Sequence, residues 1–371
     1  MMAGIYIHVP FCKQKCSYCD FASYPKELNK IEAYFACLYR EIKGRGLSSL
    51  KDYTFDTIYF GGGTPSIVNP EYISGAIKQI KKYFNLADDL EITIEINPGT
   101  IDDKKVEIYK KIGINRFSIG LQSGYDDVLK RLGRVHTAKD FLVCCNMLGD
   151  VNKSADILIG LYDQTKEQLQ KTIDLALAGG VKHISMYALT CVDGTPIYND
   201  YLNGLLPLDD EIADLYDFGR KYLEEKGLFR YEISNFAMPN YESKHNLNYW
   251  KRGEYVGLGA SASGFIGNER YTNLAKLDDY MNAVIANRFP VAVTDVIDEV
   301  GAKNEFIMLG LRTVYGVNVN EFNAKFNADF LNEYKKALKK VTEYVEFDGN
   351  VLKIKDEYLY VQNEIVIEFF K

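Results

Sequence analysis

Three cysteines close to the amino terminus constrain this chain more than any other sequence feature. Cys12, Cys16 and Cys19 lie in the segment FCKQKCSYCDF with the spacing C-x3-C-x2-C, directly after the first predicted strand. Three closely spaced thiolates on one loop can bind a single iron–sulfur cluster. Three ligands leave one iron without a protein donor, and a chelating substrate or cofactor binds at such an open position. The flanking aromatic residues Phe11 and Phe21 are expected to exclude water and tune the cluster potential.

Two alternatives stay open for the same cysteines. A structural zinc site needs a fourth ligand, which His8 could supply, although an imidazole on an inward-facing strand position four residues away is poorly aimed at the loop. The other alternative is a disulfide plus a spare thiol. The chain has 7 Cys, an odd number, and its start does not resemble a secretory signal, so a disulfide framework is disfavoured. The other four are predicted to be core residues: Cys37, Cys144, Cys145 and Cys191.

Composition narrows the class of protein. With 47% hydrophobic and 26% charged residues, the 371-residue chain is expected to fold into a soluble protein. Its formal charge of −7 argues against a general nucleic-acid binder, which would need a surface that neutralises phosphates. The sequence contains no run of about 18 apolar residues, so no membrane span is expected. A cytoplasmic location is predicted, and peripheral membrane association stays possible.

Alternation of apolar runs and helical stretches predicts parallel βαβ units in the first part of the chain. The predicted strands cover residues 4–9, 55–60, 91–96, 116–120, 155–161 and 183–187. Six units are too few for a closed eight-stranded barrel, so we expect an α/β fold with an open, partial (β/α)6 barrel over residues 1–235. A further short strand is predicted at 231–234. Functional residues of such sheets collect at the carboxyl ends of the strands.

The remainder of the chain is predicted to form a connecting segment, 236–300, and a small helical module, 301–371. The module ends in a hairpin signal, with strands at 344–347 and 351–354 around Asp348-Gly349. Helices followed by such a hairpin are typical of a winged helix. Residues 301–371 contain one more acidic than basic residue, so a docking or lid role is preferred to DNA binding.

A glycine-rich turn follows the second predicted strand. In Gly61-Gly62-Gly63-Thr64-Pro65, the glycines allow the backbone to approach a ligand and direct N–H groups at it. The segment has neither the lysine nor the spacing of a phosphate-binding loop. A simple tight turn between strand and helix is the alternative. Beside the cysteine loop, a cofactor cradle is favoured.

Polar residues follow the next three strands. The third strand places Glu91, Thr93, Glu95 and Asn97 on one face, and a buried carboxylate such as Glu95 needs a partner. Either a cofactor or a salt bridge inside the barrel would satisfy it. Gln122 follows the fourth predicted strand, Arg134 ends the helix after it, and Asp156 lies in the fifth predicted strand. Each alone is more often structural, but together they would surround one mouth of the barrel.

The C-x3-C-x2-C motif after a first strand, followed by GGGTP, resembles the radical SAM superfamily. The resemblance implies a [4Fe–4S] cluster that binds S-adenosylmethionine (SAM) at the iron without a cysteine. The segments GIYIHVPFCKQKCSYCDF, GGGTP, IEINP, SIGLQS, LKRLGR and DILIGL further resemble the HemN-like branch, the oxygen-independent coproporphyrinogen III dehydrogenases, over nearly the whole chain. This resemblance implies that Tyr6, Gly62 and Glu95 contact the cluster-bound SAM. The positions that match a second SAM site are Tyr18, Gly63, Thr64, Gln122, Arg134, Asp156 and Ala188.

Two departures point to a different function within this branch. The dehydrogenases carry a further cysteine two residues after the third, where this chain has Phe21. The segment 245–250 reads HNLNYW, the HNxxYW pattern of HemW-type haem chaperones. A neutral imidazole can ligate haem iron, and Tyr249 and Trp250 offer flat faces to a porphyrin, so His245 is the candidate haem ligand. An ordinary surface or core histidine is the alternative. A third departure is GLGASASG at 257–264, where Ser261 and Ser263 replace the Gly and His of relatives.

The resemblance therefore implies a haem chaperone that binds a [4Fe–4S] cluster, SAM and haem, and transfers haem to an acceptor protein. No catalytic residue is assigned, and coproporphyrinogen oxidase activity is not expected. The alternative is an oxygen-independent coproporphyrinogen III dehydrogenase, which decarboxylates its substrate by radical chemistry. An RNA-modifying radical enzyme would need a basic groove or an added RNA module, and the sequence has neither.

Overall fold

The structure is a computed structural model that describes residues 1–48 and 50–371. Its first half contains six strands that pair in parallel and in chain order, which confirms the predicted partial barrel. The strands are β1 (Met2–Val9), β2 (Thr54–Gly62), β3 (Leu86–Ile96), β4 (Arg116–Gln122), β5 (Asn152–Ile159) and β6 (His183–Ala188). The helices between them are α1 (Ile31–Gly46), α2 (Pro70–Tyr83), α3 (Asp103–Ile112), α4 (Asp126–Arg131), α5 (Ala138–Leu148) and α6 (Lys166–Ala178).

The two faces of the barrel strands differ in chemistry. In β4, Phe117 and Ile119 are fully buried in the apolar core shared with the helices. Arg116 and Ser118, the residues between and before them, line a cavity inside the barrel. Because side chains alternate between faces of a strand, apolar residues cover the outside and polar residues the inside. Burial of each large apolar side chain contributes about 1.5–3 kcal/mol, so the outer layer stabilises the barrel while the interior stays polar.

The sheet continues beyond the six parallel strands at both ends. It contains twelve strands in the order β12-β11-β10-β9-β1-β2-β3-β4-β5-β6-β8-β7. The added strands are β7 (Phe229–Arg230), β8 (Asn235–Ala237), β9 (Glu254–Leu258), β10 (Ser263–Ile266), β11 (Glu269–Asn273) and β12 (Val291–Val296). Strand β9 pairs in parallel with β1. Strands β9 to β12 of the segment 236–300 therefore extend the barrel sheet beyond β1, while β7 and β8 extend it beyond β6.

The short strand predicted at 231–234 is wrong. These residues form the turn between β7 and β8, which pair antiparallel. The buried Glu232 carboxylate accepts hydrogen bonds from the Ser234 backbone N–H, at 2.9 Å, and from the Asn235 side chain. A side chain that bonds the backbone two residues ahead holds the chain in a turn. The helices of this region are α7 (Pro196–Leu202), α8 (Asp209–Glu225), α9 (Lys244–Trp250) and α10 (Leu277–Ile285).

The carboxyl-terminal module has a core of its own, centred on Phe306, Phe322 and Phe330. Its elements are α11 (Glu299–Leu311), β13 (Val317–Asn318), α12 (Val319–Phe326), α13 (Phe330–Glu333), α14 (Lys335–Val341), β14 (Val345–Phe347), β15 (Val351–Ile354) and α15 (Gln362–Ile367). The predicted hairpin is confirmed, since β14 and β15 pair antiparallel and β13 adds a third strand. The helices and this small sheet give the predicted winged-helix-like arrangement.

No helix in residues 1–48 or 50–371 is both long and apolar enough to cross a membrane.

Candidate functional site

A polar cavity occupies the interior of the barrel. It has a volume of about 430 Å³ and reaches from the cysteine loop, at the carboxyl ends of the strands, to Ser243 and Asn246 at helix α9. The cavity, called the barrel cavity below, is lined by every predicted site residue except Tyr6 and His245: Cys12, Cys16, Tyr18, Cys19, Gly62, Gly63, Thr64, Glu95, Gln122, Arg134, Asp156 and Ala188. The sequence prediction that these residues surround one mouth agrees with this placement.

The cysteine loop is held in place by other elements. The Ser17 N–H donates to the Leu132 carbonyl at 3.0 Å, and the Ile197 N–H donates to the Ser17 carbonyl at 3.0 Å. All seven cysteines are free thiols. Burial raises the pKa of the Cys12 and Cys19 thiols. Such thiols become thiolates when a metal centre supplies positive charge, so their environment suits ligation better than free nucleophilic reactivity.

His8 is engaged elsewhere and is not free to complete a zinc site with these cysteines. Its Nε2 lies 2.8 Å from the Ala22 carbonyl, and its Nδ1 lies 3.0 Å from the Tyr6 hydroxyl. Within the described residues, no group of three or more His, Cys, Asp or Glu side chains is arranged to hold a single metal ion. The three thiols instead border the wider space of the barrel cavity.

The glycine turn lies directly against the cysteine loop. The Gly63 N–H donates to the Val9 carbonyl at 3.0 Å, and the Thr64 N–H donates to the Phe11 carbonyl at 2.7 Å. A Cβ atom on Gly63 would lie 2.7 Å from the Phe11 backbone oxygen, and Gly62 has a φ of +113°. Both positions therefore require glycine. The Thr64 hydroxyl lies 3.4 Å from the Cys12 sulfur, which joins the turn to the cluster-binding loop.

Glu95 and Asp156 form an acidic pair that lines the barrel cavity. Glu95 accepts hydrogen bonds from the Tyr59 hydroxyl at 2.9 Å and from the Gly62 N–H at 3.1 Å. Asp156 accepts one from the Ser118 hydroxyl at 3.2 Å. Burial, followed by the Asp156 charge, raises the pKa of Glu95 to about 7, and burial raises that of Asp156 to about 6. Two carboxyls with raised pKa values favour a cationic ligand, because a positive charge would lower the pKa of both.

Arg134 links the cysteine loop to the rest of the cavity wall. Its Nη2 donates to the Asn97 side-chain oxygen at 2.6 Å and to the Gly120 carbonyl at 2.8 Å, while Nη1 lies 3.8 Å from the Cys16 sulfur. Its Nε is buried without a hydrogen-bond partner. Three other residues that line the barrel cavity also carry a buried polar atom without a partner: Ser23, Thr93 and His183.

These unpartnered atoms test whether the cavity fits SAM. Buried polar groups nearly always have a hydrogen-bond partner, so a cavity wall that carries four of them is complementary to a polar ligand. SAM combines a cationic sulfonium and amino group with an anionic carboxylate. The acidic pair matches its cationic groups, and Arg134 matches its carboxylate. The three cysteines at the mouth leave the fourth iron of a cluster for SAM to bind. The residues present therefore fit both groups.

Tyr6 and His245 lie outside the barrel cavity. The Tyr6 hydroxyl bonds His8, so any direct contact of Tyr6 with a cluster-bound SAM stays a prediction. Helix α9 covers the amino ends of the strands, where Glu91 accepts hydrogen bonds from the Lys244 and His245 N–H groups at 3.3 and 3.2 Å. His245 is 1% exposed. It is at the opposite end of the barrel from the cysteine loop.

Both ring nitrogens of His245 are already bonded. Nδ1 lies 2.8 Å from the Thr57 hydroxyl and Nε2 lies 2.7 Å from the Tyr249 hydroxyl. Burial lowers the pKa of His245 to about 3, so the ring is neutral at physiological pH. In this conformation neither nitrogen is available to a haem iron. The environment is that of a core histidine, the alternative considered from sequence.

Sequence reasoning missed several polar residues that line the lower part of the barrel cavity. They are Arg116, Ser118, His183 and Ser185. The available signal was the alternation in RFSIGLQ and HISMY, where every second residue of a buried strand is polar. A parallel strand is normally apolar on both faces, so this pattern indicates a polar barrel interior.

Family models match both parts of the chain. Residues 6–176 match the radical SAM superfamily, and residues 302–363 match the HemN C-terminal domain. The match confirms the resemblance drawn from the cysteine and glycine motifs, and it covers the cysteine loop, the glycine turn and strands β1 to β5 of the barrel.

Curated relatives match over almost the full length. "Heme chaperone HemW" of Bacillus subtilis is 34% identical over 352 residues, which cover 92% of each chain. The protein of the same name from Buchnera aphidicola is 39% identical over 266 residues, which cover 71% of this chain and 70% of that one. Among solved structures, coproporphyrinogen III oxidase (HemN) from Escherichia coli aligns over 99% of this chain and 89% of its own, with a TM-score of 0.87 and 19% identity. At 19% identity, the similarity to coproporphyrinogen III oxidase shows a shared fold.

Proposed function

The chain belongs to the HemW family of haem chaperones within the radical SAM superfamily, and from this premise we propose that it binds haem and transfers it to an acceptor protein. The observation that carries the proposal is 34% identity over 92% of both chains to a protein named for this function. The acceptor is a protein of unknown identity. The proposal includes a cytoplasmic location, which the seven free cysteines support because thiols stay reduced there.

Membership of the superfamily implies a [4Fe–4S] cluster and SAM. When bound, the cluster can supply an electron to SAM. This chain contributes Cys12, Cys16 and Cys19 as ligands, and Arg134 and Glu95 as the groups that orient SAM by charge. The glycine turn gives the ligand access to the backbone. The acidic pair lies inside the barrel, where burial raises the pKa of both carboxyls, so the groups that face the ligand are poorly solvated.

Phe21 supports a chaperone rather than a dehydrogenase. It occupies the position at which the dehydrogenases, by the resemblance drawn from sequence, carry a further cysteine. Its side chain is 63% exposed and lines the barrel cavity beside the cysteine loop. A large phenyl ring at this position removes a thiol and narrows the space in front of the cluster. A porphyrinogen substrate would have to occupy that space.

His245 is proposed to support haem binding through Tyr249 rather than by direct ligation. Its Nε2 holds the Tyr249 hydroxyl at 2.7 Å, and Tyr249 packs edge-on against Tyr255 with ring centroids 4.6 Å apart. The two tyrosines present an aromatic surface on the face of β9 opposite to the core residues Val256 and Leu258. His245 would then fix the orientation of that surface.

Titration of the anaerobically reconstituted full chain with haemin tests the proposal. The expected result is a stoichiometric complex with a shifted haem absorption band, followed by transfer of haem to an apo-acceptor when one is supplied. Absence of a haem complex would overturn the proposal. A parallel incubation with SAM, a reductant and coproporphyrinogen III should give no decarboxylated product.

The alternative function is that of an oxygen-independent coproporphyrinogen III dehydrogenase. One observation favours it, namely that residues matched to a second SAM site, including Gln122 and Asp156, line the same cavity as the cysteines. Protoporphyrinogen formed at turnover rates, with 5′-deoxyadenosine as co-product, would establish this function in place of the chaperone.

A further inference from the structure

A second cavity lies beside β1 on the same face of the sheet as the barrel interior, where Tyr6 and His8 of β1 border it. It has a volume of about 610 Å³ and is formed by β9, β10, β11 and helix α11 of the carboxyl-terminal module. Its walls carry the aromatic rings of Tyr249, Tyr255 and Phe265, together with Met308 and Leu309. A cavity of this size, lined mainly by aromatic and aliphatic side chains, suits a flat apolar ligand.

Three charged residues stand among these apolar walls. The Arg252 Nε donates to the Glu305 Oε2 at 2.7 Å, and the Arg270 Nη1 donates to Oε1 of the same carboxylate at 2.6 Å. The side chains of Arg252 and Glu305 are 8% and 16% exposed. The Glu305 carboxylate therefore pairs with both guanidinium groups. The three side chains together carry a net charge of +1, which a second carboxylate would neutralise.

The backbone at Arg252 adds an independent observation. Arg252 lies two residues after the HNLNYW segment and has a φ of +53°, in the left-handed region that favours glycine. A side chain other than Gly or Asn is unusual at such a helix end. Its guanidinium lies 4.7 Å from the centre of the Phe265 ring, inside the second cavity. The unfavourable conformation places an arginine where a turn alone would prefer glycine, and strain of this kind is associated with binding sites.

We propose that the second cavity is the haem site, and that the two propionates of haem replace Glu305 as the partners of Arg252 and Arg270. This inference rests on the proposed function and adds the location and the means of recognition. Haem presents a flat apolar face and two carboxylates at one edge, which matches an aromatic cavity with two guanidinium groups at its rim. Other dicarboxylic porphyrins share the same chemistry.

The exchange also couples binding to the carboxyl-terminal module. Glu305 lies on α11 of the carboxyl-terminal module, whereas Arg252 and Arg270 lie in the barrel sheet region. The two ion pairs of Glu305 therefore attach the module to the barrel sheet across the second cavity. The haem propionates would compete with Glu305 for the two arginines. Binding therefore releases one attachment of the module, and return of Glu305 to the two arginines favours release of haem.

Haemin titration of the full-length variants tests the site, with the haem absorption band and the fluorescence of Trp250 as two readouts. Trp250 is the sole tryptophan, so quenching reports on haem close to α9. Arg252→Gly and Arg270→Gln should each weaken haemin binding about tenfold, because each removes one charge-assisted contact. Arg252→Gly also removes the backbone strain, so its fold should be retained. Glu305→Gln should tighten binding several-fold, because it removes the competing carboxylate.

The controls separate this site from a general effect of charge. Arg220→Gln removes a guanidinium that pairs with Asp217 and Glu224 on α8, and it should leave haemin affinity unchanged. Haemin dimethyl ester lacks free propionates, so its affinity should be equal for the wild type, Arg252→Gly and Arg270→Gln. Thermal unfolding of each variant checks that the fold is intact.

Two results would overturn the site while leaving the proposed function in place. The first is haemin binding that is unchanged in an Arg252→Gly, Arg270→Gln double variant. The second is weaker binding in a folded Glu305→Gln variant, since competition requires the opposite sign. If the wild-type protein forms no haem complex at all, both the proposed function and this site are refuted.

Discussion

The Tyr249 hydroxyl lies 2.7 Å from Nε2 of His245, and the Thr57 hydroxyl lies 2.8 Å from Nδ1 of the same ring. The bond to Thr57 is buried and the bond to Tyr249 is partly buried, and the pKa of His245, lowered by burial to about 3, keeps the ring neutral. The first and fifth residues of the HNLNYW segment therefore act as a pair. His245 holds a tyrosine that faces the second cavity.

Replacement of His245 by Ala should weaken haemin binding about tenfold while leaving the absorption spectrum of the bound haem unchanged. The loss arises because Tyr249 is no longer held, and the unpaired hydroxyls should also cost about 1–3 kcal/mol of stability. Haemin titration with full spectra measures both quantities. His136→Ala is the matched control, because this buried histidine bonds the Leu121 carbonyl and lines neither cavity. An altered spectrum of bound haem would instead identify His245 as the iron ligand, as predicted from sequence.

Replacement of Cys12, Cys16 or Cys19 by Ala should abolish the [4Fe–4S] cluster, since two thiolates cannot hold it at the cavity mouth. Iron and sulfide analysis of oxygen-free protein, with its visible absorption, measures the loss. Cys191→Ala removes a free cysteine that lies in a separate small apolar cluster, so this control should retain iron and sulfide. Zinc in place of iron and sulfide in the wild-type protein would contradict the assignment.

The acidic pair predicts that stability falls as pH rises. The pKa of Glu95 is raised to about 7 in the fold, above its value of about 4.3 in an unfolded chain, so the folded state binds the extra proton. Its stabilising effect is complete below about pH 4 and is lost as pH rises toward 7. Across that window the contribution is about 4 kcal/mol. Denaturant unfolding of the protein without SAM should show this slope, and Glu95→Gln should flatten it. A slope unchanged in Glu95→Gln would be evidence against the raised pKa.

SAM binding should show the opposite dependence on pH. The ionised Glu95 carboxylate attracts the cationic groups of SAM, so SAM affinity should increase from pH 6 to pH 8 as Glu95 loses its proton. Equilibrium dialysis with the cluster intact measures this affinity. Asp140→Asn is the matched control, because this carboxylate caps α5 on the surface and does not line the cavity. SAM affinity independent of pH would mean that Glu95 does not face the ligand.

Arg134→Lys should weaken SAM binding about tenfold and leave the cluster in place. Lysine keeps the charge but lacks the planar guanidinium whose Nη2 bonds Asn97 and Gly120 while Nη1 faces the Cys16 sulfur, so the orientation of the charge is lost. Iron content and a SAM titration separate the two effects. Arg131→Lys, at an exposed arginine that stacks on Tyr162, should change neither. Loss of iron in Arg134→Lys would show instead that Arg134 mainly stabilises the cysteine loop.

The barrel and the cysteine site could be predicted from sequence because both depend on local signals. Strand–helix alternation determines the parallel order of β1 to β6, and the carboxyl ends of parallel strands meet at one edge, which brings Glu95 and Asp156 together. The pairing of β9 with β1 could not be predicted, because it joins residues just over 250 positions apart without a local pattern. The second cavity depends on that pairing and on the docking of α11.

The environment of His245 is a second feature that could not be predicted from the sequence. The HNxxYW pattern identifies a histidine and a tyrosine on one face of a helix, since they are four residues apart. It does not reveal that Thr57, almost 190 positions earlier, occupies the other ring nitrogen. Whether a histidine is an open ligand or a satisfied core residue is decided by such distant partners.

Phe21 borders both the barrel cavity and the second cavity. A ligand that displaces this phenyl ring from one side reshapes the wall that the other ligand meets. With SAM in the first cavity and haem in the second, as proposed above, the two affinities would be coupled through this side chain. Thermodynamic linkage would make the coupling reciprocal, so the factor by which SAM changes haem affinity would equal the factor by which haem changes SAM affinity.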